Sequence, residues 1–115
     1  DIYSVAEMLT KQDDIVLLKE KDYIKQPKES GYRSLHLIIE VPVFLSNEKK
    51  MVKVEIQIRT IAMDFWASLE HQLRYKTDVE IPQVLREKLK DNAERIYRMD
   101  TDMEQIYRSL EVLSQ

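Results

Sequence analysis

Cysteine is absent from the 115 residues, and glycine occurs once, proline three times and tryptophan once. Without cysteine there is no disulfide framework, no cysteine-ligated zinc and no thiol nucleophile. That usage fits a reducing compartment, and the cytoplasm is the expected location. Long apolar runs are missing as well. The longest is residues 15–18, and runs such as 37–39 are shorter still, far short of the roughly 20 residues that span a bilayer, so no membrane partner is expected. The opening Asp1-Ile2-Tyr3-Ser4-Val5 has no Met and no basic-then-apolar pattern, and reads as an internal start rather than a signal peptide. Neither sign of charge dominates, with 18 Lys+Arg against 21 Asp+Glu and a net −3. Nothing global therefore draws the chain to nucleic acid, and any polyanion must meet a local cluster of cations.

What is present is a globular balance, 43% hydrophobic and 34% charged residues, enough for one domain or part of one. Val5, Met8 and Leu9 at i, i+3, i+4 predict a short helix over residues 4–10 that buries this stripe. Residues 15–18 predict a strand running out through Lys19-Glu20-Lys21-Asp22. Lys25-Gln26-Pro27-Lys28-Glu29-Ser30-Gly31 holds the only glycine and reads as a loop. Residues 35–44 and 51–58, broken by Ser46-Asn47-Glu48-Lys49-Lys50, predict an antiparallel hairpin. In its second arm Val52, Val54, Ile56 and Ile58 alternate with Lys53, Glu55, Gln57 and Arg59, giving one aliphatic and one polar face.

Thr60 suits an N-cap, and Ile61, Phe65, Leu69 and Leu73, with Ala62 and Trp66 beside them, predict an amphipathic helix whose other face carries Asp64, Ser68 and His71. A break at Thr77-Asp78 and Pro82 leads into a long final helix. There Leu89, Ile96, Met103 and Leu110 fall seven apart, and Asn92, Met99, Ile106 and Leu113 fill the second seam. This helix reads either as an oligomerisation element or as intramolecular packing. The order is α, β, loop, β, β, α, α.

Several constellations bear on chemistry. Lys21, Lys25, Lys28 and Arg33 surround Gly31-Tyr32 with His36 beyond. Phosphates want cationic donors, a base wants a flat aromatic face, and glycine permits close backbone approach. The same residues also read as a solvated basic loop. On the polar strand face, Glu55 could ligate Mg²⁺, which takes one or two protein carboxylates plus phosphates and waters. Cross-strand ion pairs explain that face equally well. Glu70 and His71 have no second ligand at helical spacing, so zinc is not expected.

Taken together, Lys28-Glu29-Ser30-Gly31-Tyr32-Arg33-Ser34-Leu35-His36 and Val54-Glu55-Ile56-Gln57-Ile58-Arg59-Thr60 resemble the RelA/SpoT-type alarmone synthetases. Met63-Asp64-Phe65-Trp66-Ala67-Ser68-Leu69-Glu70-His71 looks like the small, single-domain members. The resemblance covers residues 1–78 directly. It implies an α+β fold, a mixed or antiparallel nucleotidyltransferase-like sheet flanked by helices, with a long C-terminal helix through which small members assemble as homo-oligomers such as tetramers. Residues 1–78 would be part of a catalytic domain whose N-terminal part is missing, and 79–115 the packing or oligomerisation helix.

The implied reaction moves pyrophosphate from ATP to the 3′-hydroxyl of GDP or GTP with Mg²⁺. By resemblance, Tyr32 stacks on guanine, Lys28 and His36 contact the acceptor nucleotide, chiefly its phosphates, and Asp64 lies near the guanine edge. Glu55 would lie near Mg²⁺ and the 3′-hydroxyl as the catalytic carboxylate, Gln57 on the same face beside the acceptor, and Lys21 toward the ATP phosphates. The alternatives are a toxin-like relative that modifies adenine nucleotides or tRNA, and a non-catalytic oligomerisation module. Nucleic acid enters otherwise only as a regulator. No HD hydrolase signature occurs.

One departure matters. The family's second Mg²⁺ carboxylate belongs to a D-x-x-G-x-R motif that this sequence lacks, and the upstream basic residues that hold ATP are absent too. Phosphoryl-type transfer depends on positioning and metal-borne charge stabilisation. The chain on its own is therefore expected to make no (p)ppGpp, and product formed by it alone in a radiolabel assay would overturn that expectation.

Overall fold

A computed structural model describes residues 1–75 and 80–114. Among them the elements are α1 (Ile2–Thr10), β1 (Val16–Asp22), β2 (Leu35–Phe44), β3 (Lys49–Ile58), α2 (Ile61–Tyr75) and α3 (Gln83–Leu113). The α+β class and the expected order hold. The chain divides into two compact units, Asp1–Gln26 with Ser34–Arg59, and Pro27–Arg33 with Thr60–Gln115. The expected break at Thr77-Asp78, and with it the boundary between 78 and 79, lies outside the described residues.

In the first unit the three strands form an antiparallel sheet ordered β1-β2-β3. β2 lies between two partners, and its alternate residues Leu35, Leu37 and Ile39 are buried. The aliphatic residues of β3 pair beside them (Leu35↔Ile58, Leu37↔Ile56, Ile39↔Val54) but are less covered, as an edge strand's side chains are. β1 runs further than the apolar signal, to Asp22. Its polar end is held by backbone bonding to β2, with a bulge between Leu17 and Lys19. β3 likewise starts at Lys49 rather than Met51, and a turn closes the hairpin where the Leu45 N–H donates to the Glu48 carbonyl at 2.8 Å.

α1 starts earlier than expected because the Asp1 carboxylate accepts the Ser4 N–H at 2.8 Å and caps the helix. Its buried face also differs. Ala6 is buried, while Val5 and Met8 are exposed. Tyr3 sets that rotation: its hydroxyl donates to Asp22 Oδ2 at 2.8 Å, and Lys25 Nζ stands 5.0 Å from its ring centroid.

In the second unit Thr60 caps α2 as expected, its Oγ1 accepting the Met63 N–H at 3.1 Å. The packed ridge is nevertheless Met63 and Trp66, and Ile61, Phe65 and Leu69 are exposed. The Trp66 indole N–H donates to the Leu89 carbonyl at 2.7 Å, which turns this side of the helix toward α3. On α3 the buried residue is Ala93, outside the heptad seams. The seam residues Met103, Ile106, Leu110 and Leu113 are exposed. No helix among the described residues is long and apolar enough to cross a membrane.

Asp22 links the start and the middle of the first unit. Besides Tyr3, it accepts the N–H groups of Ile24 (2.9 Å) and Lys25 (3.0 Å) at Oδ1. Partial burial pushes its carboxyl up, but the Lys25 N–H, the Tyr3 hydroxyl, the Ile24 N–H and the Lys25 charge outweigh that and hold it below the usual range. A lowered native pKa gives stability that is complete above the unfolded value of about 3.9 and is lost as pH falls through the native one. Asp22→Asn is therefore expected to be less stable than the parent at pH 7, with the gap in urea midpoint closing between pH 4 and pH 2. A gap that stays constant over that range would contradict this account.

Candidate functional site

The sequence-predicted site residues fall into two groups, one in each unit. In the first unit, antiparallel register builds a polar row across the sheet: Lys21 pairs with His36, and His36 with Gln57. Glu55 pairs with Ile38, two residues before Gln57, and so shares the row's face. Its Oε1 reaches His36 Nδ1 at 3.2 Å, the histidine mostly buried and the carboxylate 58% exposed. The Tyr23 ring meets the His36 imidazole edge-on, with centroids 5.2 Å apart and planes at 87°. This ring and Glu55 fix the imidazole from two sides, while Lys21 and Gln57 stay exposed.

This face offers a cation, an imidazole, an amide and a carboxylate. Among the described residues no cluster of three or more His, Cys, Asp or Glu could hold a metal ion by itself. An exposed carboxylate fits Mg²⁺ nonetheless, since that ion keeps waters and takes its other oxygens from substrate phosphates.

In the second unit, residues 28–32 close on themselves. The Gly31 N–H donates to the Lys28 carbonyl at 2.8 Å, the Lys28 N–H to the Tyr32 carbonyl at 3.1 Å, and the Tyr32 N–H to Ser30 Oγ at 3.3 Å. Lys28 and Tyr32 are thereby brought together, with Nζ 5.3 Å from the ring centroid, so a cation and a flat face stand side by side. Gly31 has φ +101°, and a Cβ there would lie 3.1 Å from Ala93 Cβ and 3.3 Å from Lys90 Cα. Only glycine fits both the backbone and the space. Asp64 stands exposed in the first turn of α2.

The four cations expected around Tyr32 are not one cluster. Lys25 lies against Tyr3. Arg33 is buried: its Nη1–H donates to the Ala93 carbonyl at 3.2 Å and its guanidinium lies 4.5 Å from the Tyr97 ring centroid. A guanidinium can satisfy a carbonyl and stack on a ring at once, which drew it inward. Glu70 is paired with Arg74, and His71 lies against Tyr75 at 4.5 Å between ring centroids. Sequence reasoning missed Ala93, Tyr97 and the Thr60–Asp100 hydrogen bond (2.6 Å). For Ala93 the one available signal was a small residue off the heptad seam.

Gly31→Ala is expected to destabilise the protein by about 1–3 kcal/mol, the scale of a residue forced into a disfavoured φ, and the close Ala93 and Lys90 contacts add to it. Urea unfolding reads the change, and a variant as stable as the parent would refute the close packing.

Residues 1–80 match the model of a family described as a region found in RelA / SpoT proteins. The GTP pyrophosphokinase YwaC of Bacillus subtilis (strain 168) is 54% identical over 103 residues, 90% of this chain and 49% of that protein. Among solved structures, small alarmone synthetase 2 from Bacillus subtilis has a TM-score of 0.89 at 52% identity, covering 95% of this chain and 59% of that one. Small alarmone synthetase 1 from the same organism, bound to its product pppGpp, has a TM-score of 0.83 at 42% identity, covering 94% and 56%. The chain spans about half the length of the curated relatives it matches, 49% and 50%. Sequence and fold agree across nearly the whole chain, and it belongs to the RelA/SpoT family.

Proposed function

We propose that this chain carries the acceptor-nucleotide half of a (p)ppGpp synthetase, which transfers pyrophosphate from ATP to the 3′-hydroxyl of GDP or GTP. The observation that carries the reading is the closed loop that sets Lys28 beside Tyr32, in a chain 54% identical to a GTP pyrophosphokinase. Tyr32 gives guanine a face to stack on, and Lys28 gives its phosphates a cation. Asp64 accepts hydrogen bonds from the N1–H and N2–H₂ of guanine, which adenine cannot offer in that pattern. His36 and Gln57 face the acceptor from the sheet, and Lys21 meets the ATP phosphates.

Glu55 would hold Mg²⁺, which would neutralise charge on the phosphate oxygens. The same carboxylate aligns the 3′-hydroxyl and draws off its proton as the oxygen bonds to the β-phosphorus of ATP and AMP departs. His36, 3.2 Å from Glu55, keeps that carboxylate in one orientation. Residues 1–78 form part of the catalytic domain. Residues 79–115 serve assembly: the exposed Met103, Ile106 and Leu110 of α3 meet a second copy in a homo-oligomer. The cytoplasm, which holds both ATP and guanine nucleotides, is the location that goes with this reading.

The test gives the complete protein β-labelled ATP, Mg²⁺ and equimolar GDP, GTP, adenine nucleotides and tRNA, then resolves the products. Label is expected on GDP or GTP. Base–aromatic stacking is worth about 1–3 kcal/mol, so Tyr32→Ala is expected to cut kcat/KM for the guanine nucleotide by roughly 5- to 150-fold. Label on tRNA or adenine nucleotides, or an unchanged Tyr32→Ala rate, would sink the reading.

A further inference from the structure

We propose that Arg33 is a positioning residue for the acceptor nucleotide, its buried guanidinium strapping the loop that carries Lys28 and Tyr32 to the turn of α3 formed by Ala93, Glu94 and Tyr97. This rests on the reading that Tyr32 and Lys28 face the acceptor.

Arg33 is only 9% exposed, so it is poorly placed to meet a phosphate. Three of its contacts are to α3. Nη1–H donates to the Ala93 carbonyl at 3.2 Å, Nη2 lies 3.8 Å from Glu94 Oε2, and the Tyr97 ring takes the flat face at 4.5 Å. Burying a guanidinium is costly unless its charge and donors are met, and α3 meets them within one helical turn. Lysine, a point charge on a flexible stem, cannot stack and donate in the same way.

The strap adjoins Tyr32 directly. On the other side of Tyr32, Gly31 presses against Ala93 so closely that a Cβ would stand 3.1 Å from that side chain. The two neighbours of the aromatic residue are therefore both anchored at Ala93. Asp64 uses the same reference: α2, which carries it, is tied to α3 by Trp66 at the Leu89 carbonyl (2.7 Å) and by Thr60 at Asp100 Oδ2 (2.6 Å). Both elements that present acceptor-facing residues in this unit are thus registered against one stretch of one helix. Pre-setting that geometry spares the ligand the cost of ordering the loop.

The test uses the complete protein with Arg33→Met, Arg33→Lys, Tyr97→Ala and the Arg33→Met/Tyr97→Ala double variant. Without nucleotide, amide exchange at residues 28–32 is expected to speed by about tenfold or more in Arg33→Met and Tyr97→Ala, while β2 and β3 keep the parent's rates. In steady state the acceptor KM is expected to rise about tenfold, the ATP KM to move less than twofold, and Arg33→Lys to fall between. The double variant is expected to be no worse than the worse single one, because both changes cut the same strap.

Faster exchange across the whole sheet, equal rises in both KM values, or additive effects would overturn the proposal in favour of general destabilisation. Tyr97→Ala keeps the test open if Arg33→Met does not fold. A parent protein that transfers nothing to a guanine nucleotide overturns the acceptor reading, and with it the role given to Arg33. A parent that does, with variants whose acceptor KM is unchanged, overturns the role of Arg33 alone.

Discussion

The buried guanidinium of Arg33 is the contact on which the second unit's arrangement depends. Taking that charge out of water costs several kcal/mol before compensation, and compensation comes from a carbonyl, a carboxylate and an aromatic face presented by one turn of α3. Such a group tolerates few positions. An apolar residue in its place would slide along the helix at little cost, whereas the guanidinium fits only where a carbonyl and the Tyr97 ring are both in reach. Direction, more than strength, is what the charge contributes. Glycine at position 31 then leaves no Cβ there to hold the loop away from Ala93.

The first unit reaches a comparable definition by a different route. A strand's side chains alternate, so β2 sends Leu35, Leu37 and Ile39 to one face and His36 and Ile38 to the other. A slip of one residue would turn His36 to the apolar face and Leu35 and Leu37 to the polar one, and the burial of Leu35, Leu37 and Ile39 fixes the register as a consequence. With the register fixed, Lys21, His36 and Gln57 must stand in a row, and Glu55 must come within reach of His36. The polar face is thereby specified by the apolar one.

How much of this was legible follows from where each signal resides. The order of elements, the hairpin, the Thr60 cap and the polar face of β3 depend on neighbours in sequence, and period-two alternation and capping chemistry display them openly. Helix faces were read less well. Val5, Met8, Phe65 and Leu69 are apolar and periodic yet exposed, while Ala6, Met63, Trp66 and Ala93 take the buried positions. Small residues decide how closely a helix approaches, and Trp66 turns its helix through a hydrogen bond to Leu89. Neither effect leaves a hydrophobic pattern. Arg33 illustrates the same limit from the other side: in a run of cations it reads as one more phosphate donor, and only the presence of Ala93 and Tyr97, sixty and more residues away, draws it inward.

The two ends of α3 put one periodicity to different uses. From Leu89 to Ile96 the helix is at least half covered where it faces α2 and the loop, and the side chain that fits deepest is an alanine. Beyond Met99 the heptad continues with larger residues, and among the described residues nothing covers Met103, Ile106 or Leu110. A helix of 31 residues is about 46 Å long, more than the short elements it supports require. The first half acts as a fixed reference for Tyr32 and Asp64, and the second presents a seam that water solvates poorly. Under the reading proposed above, a single helix would serve assembly at its exposed far end and acceptor recognition at the turn that holds Arg33.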